Sequence, residues 1–556
     1  MTTLKNPTTP ILSLLFSVIL PPLLLSTSAA AADAFSAYPS SHQNFSQCVI
    51  NNSPSVNPND FYTQKSSNFT SVLNSTAQNF RLLVSSVPKP QLIFTPANED
   101  QVRAAVICTK QVGNLQFKVR SGGHDYEGLS YTSSQKTPFV IVDLSKLRRV
   151  DVNLNGKTAW AQAGATMGEV YYKISNASKG SLAFPAGLCS SLGVGGHITG
   201  GAYGPLMRMY GLGADNVLDV RMVDAEGKVL TQQCMGPDVF WAIRGGGGGS
   251  FGVILAWKLK LVTVPKTVTV FTVPKTLEQG ASDVFMQWQN VTATLPNELF
   301  IRVVISPAAA AGKNKTIQTT YNAMFLGPAD RLVEIMTQKF PKLGLTEQNC
   351  NETSWIKGMM YTIFGFPTTF PPEYLLEGKP LFQNFFKAKS DFVKTNNPIP
   401  AKGLEGLWDR MLQEDSPLVI LTPYGGRMAE IDETAIPFPH RKGVLCMIQY
   451  VTTWSVDGGA AFEAKHMAWI RDVYNYMAPF VSTGPREAYV NYRDLDLGKN
   501  NNAASDIPDH VAKLWGNRYF KQNFQRLVKA KCIVDPGNFF RHEQSIPLPL
   551  NCSAVH

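Results

Sequence analysis

A chain of 556 residues with 44% apolar and 17% charged residues carries ample material for a packed core, and its length points to more than one domain. This balance excludes an intrinsically disordered protein, which would be poor in apolar residues. The formal net charge of +10 comes from scattered lysines and arginines without a recognised nucleic-acid motif, so no nucleic-acid partner is expected; attraction to an acidic wall matrix is the consequence left.

In chain order, Lys5 precedes the apolar run Ile11 to Leu25, then Ser26-Thr27-Ser28 and a set of alanines ending at Ala32. This layout predicts a signal peptide over 1–32, cleaved between Ala29 and Ala32. Pro21-Pro22 interrupts the run, which falls short of the ~20 residues a membrane span needs, and no later segment qualifies. The expected destination is secretion to the apoplast or cell wall, or another secretory compartment such as the vacuole. Asn-x-Ser/Thr sites at Asn44, Asn51, Asn68, Asn74, Asn176, Asn290, Asn314, Asn351 and Asn551 fit N-glycans on such a protein. The 8 cysteines are too sparse to be the main support of the fold, and no Cys/His cluster predicts a metal site.

From Lys89 to about Val262, short β-branched runs alternate with glycine turns. The strands are Phe139 to Leu144, Thr158 to Gly164, Val217 to Val223 and Val253 to Val262; Asn98 to Gln111 and Thr166 to Ser178 read as helices. The middle section has strands at Leu299 to Ile305 and Val444 to Val451 and helices at Ala329 to Phe340 and Ala460 to Met477, as in a sheet covered by helices. An asparagine-rich loop, Lys499 to Ala504, and one helix, Ile507 to Val528, lead to the terminal stretch. The fold class expected is α+β.

Three glycine constellations carry the chemistry. Arg120-Ser121-Gly122-Gly123-His124-Asp125-Tyr126 offers bare backbone suited to a pyrophosphate. Phe184 to Gly204 packs Gly187, Gly193, Gly195, Gly196, Gly200 and Gly201 around Cys189; the entropy such glycines cost suggests a flat or phosphorylated ligand lying against bare main chain. Gly247 to Gly252 matches GxGxxG literally, but alternation from Ala256 to Leu261 predicts a strand after it, where a dinucleotide fold needs a helix, so NAD binding is rejected.

RSGGHDYEGLSY, FPAGxCxxxGxGGHxxGG, RxxGLxADNVxD, WAIRGGGGGSFG, NYRDLD and the terminal DPGNFFRHEQSIP occur in order across the mature chain. Together they resemble the berberine bridge enzyme-like oxidoreductases. The resemblance implies a FAD domain of the p-cresol methylhydroxylase type in two subdomains (88–263), with an N-terminal segment at 33–87. It also implies a substrate-binding domain with an antiparallel sheet covered by helices (264–482), and a C-terminal segment (483–550) returning to the FAD domain. His124 matches the histidine bonded to the flavin 8α-methyl and Cys189 the cysteine bonded to flavin C6; attachment through His124 alone is the fallback. Cys48 and Cys108 match the family disulfide. Arg120, Ser121, Gly122, Gly123, Gly195, Gly196, Gly200, Asn216, Val253 and Asn491 fall at cofactor-binding positions. Ser190-Ser191 stands where many relatives have Pro-Thr, and Ala202 replaces a glycine.

By the same resemblance Tyr492 is the base and Arg302 its electrostatic partner, while Tyr126, Tyr203 and Gln449 complete a pocket suited to a phenol. An ordinary tyrosine, with a pKa of about 10, needs such a cation to ionise near neutrality. Met447 stands where monolignol-oxidising relatives carry lysine and the cannabinoid and berberine enzymes glutamate, favouring an apolar or prenylated substrate. Leu192 matches the oxygen gate, where leucine tends to block reaction with O2, so an unidentified electron acceptor is expected. The leading expectation is hydride transfer from an aromatic allylic alcohol or prenylated phenol to flavin N5. The alternatives are a redox-neutral [4+2] cyclase and a carbohydrate oxidase. The oligomeric state is not readable from the sequence.

Overall fold

Helix starts are written into the sequence by capping side chains. Asn98 accepts from the Gln101 amide ahead of the helix Glu99–Val112, and Thr166 with Glu169 forms a reciprocal capping box ahead of Met167–Ser178. The computed structural model describes residues 41–134, 137–310, 312–380, 382–500, 509–549 and 552. The expected signal peptide and Asn551 lie outside the described residues. No helix among the described residues is long and apolar enough to cross a membrane.

Three sheets organise the chain. The run Phe139–Asp143, buried at every position, is an inner strand of a four-stranded sheet. It pairs in parallel with Leu92–Phe94 and Gln116–Arg120, and Phe61–Thr63 adds an antiparallel edge. A second sheet of five antiparallel strands is ordered Val150–Asn153, Thr158–Gln162, Val253–Lys260, Val217–Val223, Val229–Leu230. The strand expected after GxGxxG is therefore present at Val253–Lys260, pairing on both sides, which removes the basis for a dinucleotide motif there.

The third sheet has seven antiparallel strands, in the order Asn351–Thr353, Val268–Thr276, Lys313–Phe325, Leu299–Ala310, Pro417–Pro423, Val444–Trp454, Phe385–Lys394. Strand side chains alternate between faces. Ile301, Val303 and Ile305, with Cys446 and Ile448, pack beneath the helices Ala281–Val291, Ala401–Leu412 and Gly459–Met477 in one hydrophobic cluster. Phe300, Met324, Phe392 and Met447 point the other way and join the core of the first two sheets. Register aligns that second face across strands: Arg302 lies opposite Asn322, Thr422 opposite Met447, and Gln449 between Ile420 and Ser390.

Where one helix over Ile507 to Val528 is expected, two form, Asp509–Phe520 and Asn523–Val534. Lys521 adopts a left-handed φ of 50° that breaks the first helix, and the rings of Phe520 and Phe524 stack across the corner at 6.4 Å. The stretch that follows packs back on the first sheet: Gln116 Nε2 donates to the Arg541 carbonyl at 2.9 Å, and Phe117 meets Phe539 and Phe540. Cys48 and Cys108 are disulfide-bonded, as the resemblance implies; Cys532 and Cys552 form a second bridge that the sequence analysis did not single out.

Candidate functional site

Two glycine segments touch along their backbones. A Cβ on Gly122 would lie 2.2 Å from the Gly193 nitrogen, so neither glycine can carry a side chain. A Cβ on Gly200 would likewise collide with the Asn491 side chain at 2.1 Å. Packing of protein on protein therefore compels glycine at these positions whether or not a ligand lies against their main chain. Gly196 is different: it is exposed amid buried neighbours, and a Cβ there would meet nothing within 4 Å.

The contact between the segments sets His124 against the chain just beyond Cys189. His124 Nε2 lies 2.9 Å from Ser191 Oγ, two residues beyond Cys189. Burial lowers the His124 pKa to about 4, opposed by the Ser191 backbone carbonyl, so the ring is neutral above that pH. Cys189 is a free, half-buried thiol; burial raises its pKa and the Arg302 guanidinium opposes that rise. Leu192 is half-buried, with its N–H donating to the Cys189 carbonyl at 3.3 Å and its carbonyl accepting from Met167.

Four tyrosines converge above this point. The hydroxyls of Tyr203 and Tyr492 hydrogen-bond to each other. The Tyr126 ring stacks on Tyr492 with centroids 5.1 Å apart and planes 11° apart, and Tyr489 meets Tyr492 edge-on at 5.2 Å. Gln449 Nε2 donates to the Tyr126 hydroxyl at 2.7 Å, fixing the ring. Met447, 1% exposed, and Gln449 lie on the same face of one strand, two residues apart. Asn491 donates to the His197 carbonyl at 3.0 Å and to the Tyr489 hydroxyl at 3.2 Å, tying the tyrosine segment to the glycine helix Val194–Thr199.

Arg302 is held from below. Its Nε donates to Asn322 Oδ1 at 3.0 Å and one terminal nitrogen to the Thr362 carbonyl at 2.6 Å. Burial lowers its pKa, while the fields of Tyr203, Tyr492 and Cys189 raise it, which places one cation within electrostatic reach of all three groups. Burial nevertheless pushes the Tyr492 phenol well above its ordinary value, reinforced by Tyr203 and Tyr126. The Tyr203 phenol is also raised by burial, with the hydroxyl of Tyr492, the Arg302 charge and Thr422 acting the other way.

Not every expected cofactor residue presents its side chain. Arg120 is fully buried and spends its guanidinium on Asp143 and on the Leu73 and Val72 carbonyls. Asn216 caps its own loop through the Tyr210 and Leu212 carbonyls, each at 2.9 Å, and Ser121 Oγ donates to the Ala163 carbonyl. Gly123 takes a φ of 65° beside Thr76, Gly195 abuts Ala163, and Val253 is buried at the start of its strand. Main chain, not side chains, is what 120–123 has to offer a ligand. Tyr489, Asn322, Thr362 and Thr422 are site residues that the sequence analysis did not single out; Asn322 and Thr422 lie on the strands Lys313–Phe325 and Pro417–Pro423, which it did not predict.

The donor set suits a flavin dinucleotide: open backbone at Gly196, a neutral imidazole beside a free thiol, and aromatic rings above them. Residues 90–232 match the model of an FAD binding domain, and residues 488–547 the model described as berberine and berberine like. The chain is 57% identical over 514 residues to monolignol oxidoreductase AtBBE-like 13 of Arabidopsis thaliana, covering 91% of this chain and 94% of that protein. Its fold matches berberine bridge enzyme from Eschscholzia californica with a TM-score of 0.85 at 35% identity, over 91% of this chain and 99% of the other. It matches Phl p 4, a grass pollen allergen with glucose dehydrogenase activity, with a TM-score of 0.85 at 42% identity, over 91% of this chain and 99% of the other. The chain belongs to the berberine bridge enzyme-like family of FAD-binding oxidoreductases.

Proposed function

We propose that this enzyme oxidises an aromatic allylic alcohol of the monolignol type, or a prenylated phenol, with FAD bonded to both His124 and Cys189. When bound, FAD supplies the acceptor of the substrate's hydride. His124 Nδ1 and Cys189 Sγ are the attachment atoms, and the main chain around Gly122, Gly123, Gly195 and Gly196, with Asn491 and Val253 nearby, lines the cofactor. Two tethers leave the cleft free for a bulky substrate without loss of cofactor.

The observation that carries the reading is the hydrogen-bonded pair of Tyr492 and Tyr203 within the field of Arg302. Tyr492 Oη takes the proton of the substrate hydroxyl. It does so as the phenolate, whose charge the Arg302 guanidinium offsets and whose hydrogen-bond partner is the Tyr203 hydroxyl. At rest the phenol is neutral, because burial and Tyr203 both hold its proton on; the Tyr492 proton therefore passes on to Tyr203, Thr422 and solvent as the substrate proton arrives. Tyr126, fixed by Gln449, provides a ring face against which a phenolic substrate can stack. Met447 keeps the far wall apolar, and Leu192 beside Cys189 restricts O2, so the electrons leave to another small acceptor.

Anaerobic mixing of the holoenzyme with coniferyl alcohol, a prenylated phenol or glucose tests this. Rapid loss of flavin absorbance with either phenolic and slow recovery in air are expected. Bleaching by glucose alone would favour a carbohydrate oxidoreductase, as in the pollen allergen Phl p 4 with its glucose dehydrogenase activity. Product formation from a phenolic without bleaching would favour a redox-neutral cyclase.

A further inference from the structure

We infer that Ser191 is a positioning residue for flavin attachment: its hydroxyl holds the His124 ring in the tautomer that leaves Nδ1 unprotonated. The inference deepens the proposed His124–flavin bond and rests on it. The observation is the 2.9 Å contact between His124 Nε2 and Ser191 Oγ. A neutral imidazole carries one proton on either nitrogen, and a serine hydroxyl can donate to one tautomer or accept from the other; we assign it the accepting role. With Nε2–H donating to the serine oxygen, the lone pair sits on Nδ1, and that is the atom able to attack carbon.

Two further features fit this role. His124 is held neutral by burial and so has a lone pair to offer at secretory pH. The Ser191 hydroxyl is itself placed by main chain that cannot shift freely: Gly193 is locked against Gly122, and the Ser190 carbonyl and Leu192 carbonyl accept from Gly168 and Met167, each at 2.8 Å. The hydroxyl and the ring therefore come from two segments fixed against each other. Threonine, with the same hydroxyl, would serve equally; alanine would leave the tautomer unselected.

In the attachment step the bond between Nδ1 and the flavin 8α-carbon forms as the 8α C–H bond breaks. The 8α proton and the ring's remaining N–H proton would leave with the electron pair to dioxygen, the external oxidant, as hydrogen peroxide, a single event per chain that a gate at Leu192 would slow without preventing. Ser191 adds no atom to the product; it acts through the ring it orients.

The test uses full-length chain expressed with a Cys189→Ala substitution, so that flavin can remain on the denatured protein only through His124. Intact mass and the absorbance of the acid-precipitated protein then count that bond directly, independent of turnover. Adding Ser191→Ala is expected to lower the rate of attachment about twofold, because losing one hydrogen bond returns a biased two-way tautomer equilibrium to near equality. Adding Ser191→Thr is expected to restore it, with unchanged thermal unfolding for both. Equal attachment in the Ser191→Ala and parent chains would overturn the inference while leaving the His124 bond standing. A parent chain with no bound flavin, where Cys189 is intact and attachment succeeds, would instead overturn the His124 bond and the inference with it.

Discussion

The Tyr492 hydroxyl is buried among aromatic rings, and everything touching it except Arg302 makes its ionisation harder. Its competence as a base therefore depends on a cation that hydrogen-bonds elsewhere, to Asn322 and Thr362. Arg302→Gln removes that charge while keeping a donor for Asn322. The pH at which anaerobic flavin reduction reaches half its maximal rate is expected to rise by roughly one unit, because the neutral phenol gains relative to the phenolate. Arg302→Lys is expected to recover most of the shift. A profile that does not move would mean that the guanidinium shapes the pocket without tuning the base.

At the scale of elements, the segment carrying Tyr492 has little regular structure of its own and is held by charges. Asp494 lies 2.7 Å from both Lys387 and Lys389, Lys389 also pairs with Asp496 at 2.8 Å, and Glu127 joins Lys387 to Arg81. These groups are nearly all buried, so each charge depends on its partner for solvation. Asp494→Asn leaves two buried ammonium groups without their shared carboxylate and is expected to destabilise the protein by about 3–5 kcal/mol. Differential scanning calorimetry would register this as a fall in Tm. None of this network was legible in the sequence, since Glu127, Lys387 and Asp494 are far apart along the chain and nothing in their local pattern joins them. The strands were legible. Val217 to Val223 matches the observed strand residue for residue, because β-branched side chains between turns fix both its type and its ends. The single C-terminal helix was misjudged because Lys521 carries no signal for a left-handed break, which tertiary packing of Phe520 on Phe524 imposes.

At the scale of the molecule, the fold brings together two halves of one site that are distant in sequence. His124 and Cys189 come from the glycine segments beside the first two sheets, Arg302 and Gln449 from one face of the seven-stranded sheet, and Tyr492 from the segment that follows it in the chain. Family motifs mark His124, Cys189 and Tyr492, and the wider resemblance marks Arg302 and Gln449, but their convergence is a property of sheet register. Stability ties to the same core through His197, whose Nε2 accepts from the Gly187 N–H at 2.9 Å. Burial lowers its pKa to about 3 from an ordinary 6.5. The unfolded chain therefore binds a proton below pH 6.5 that the folded one refuses, and stability falls as pH drops through that window. By pH 4.5 this one group costs about 3 kcal/mol. His197→Gln, which keeps an acceptor without a titrating ring, is expected to show a shallower loss of Tm between pH 6.5 and 4.5 than the unsubstituted protein.

The central claim is that Tyr492 takes the substrate proton as the hydride leaves, and Tyr492→Phe tests it most directly. The variant keeps the ring that stacks on Tyr126 and removes only the hydroxyl. Stopped-flow reduction of its flavin by coniferyl alcohol, without oxygen, is expected to be slower by about 10²–10⁴-fold, with flavin attachment and Tm unchanged. Reduction at the rate of the unsubstituted enzyme would contradict the account and move the base to another group.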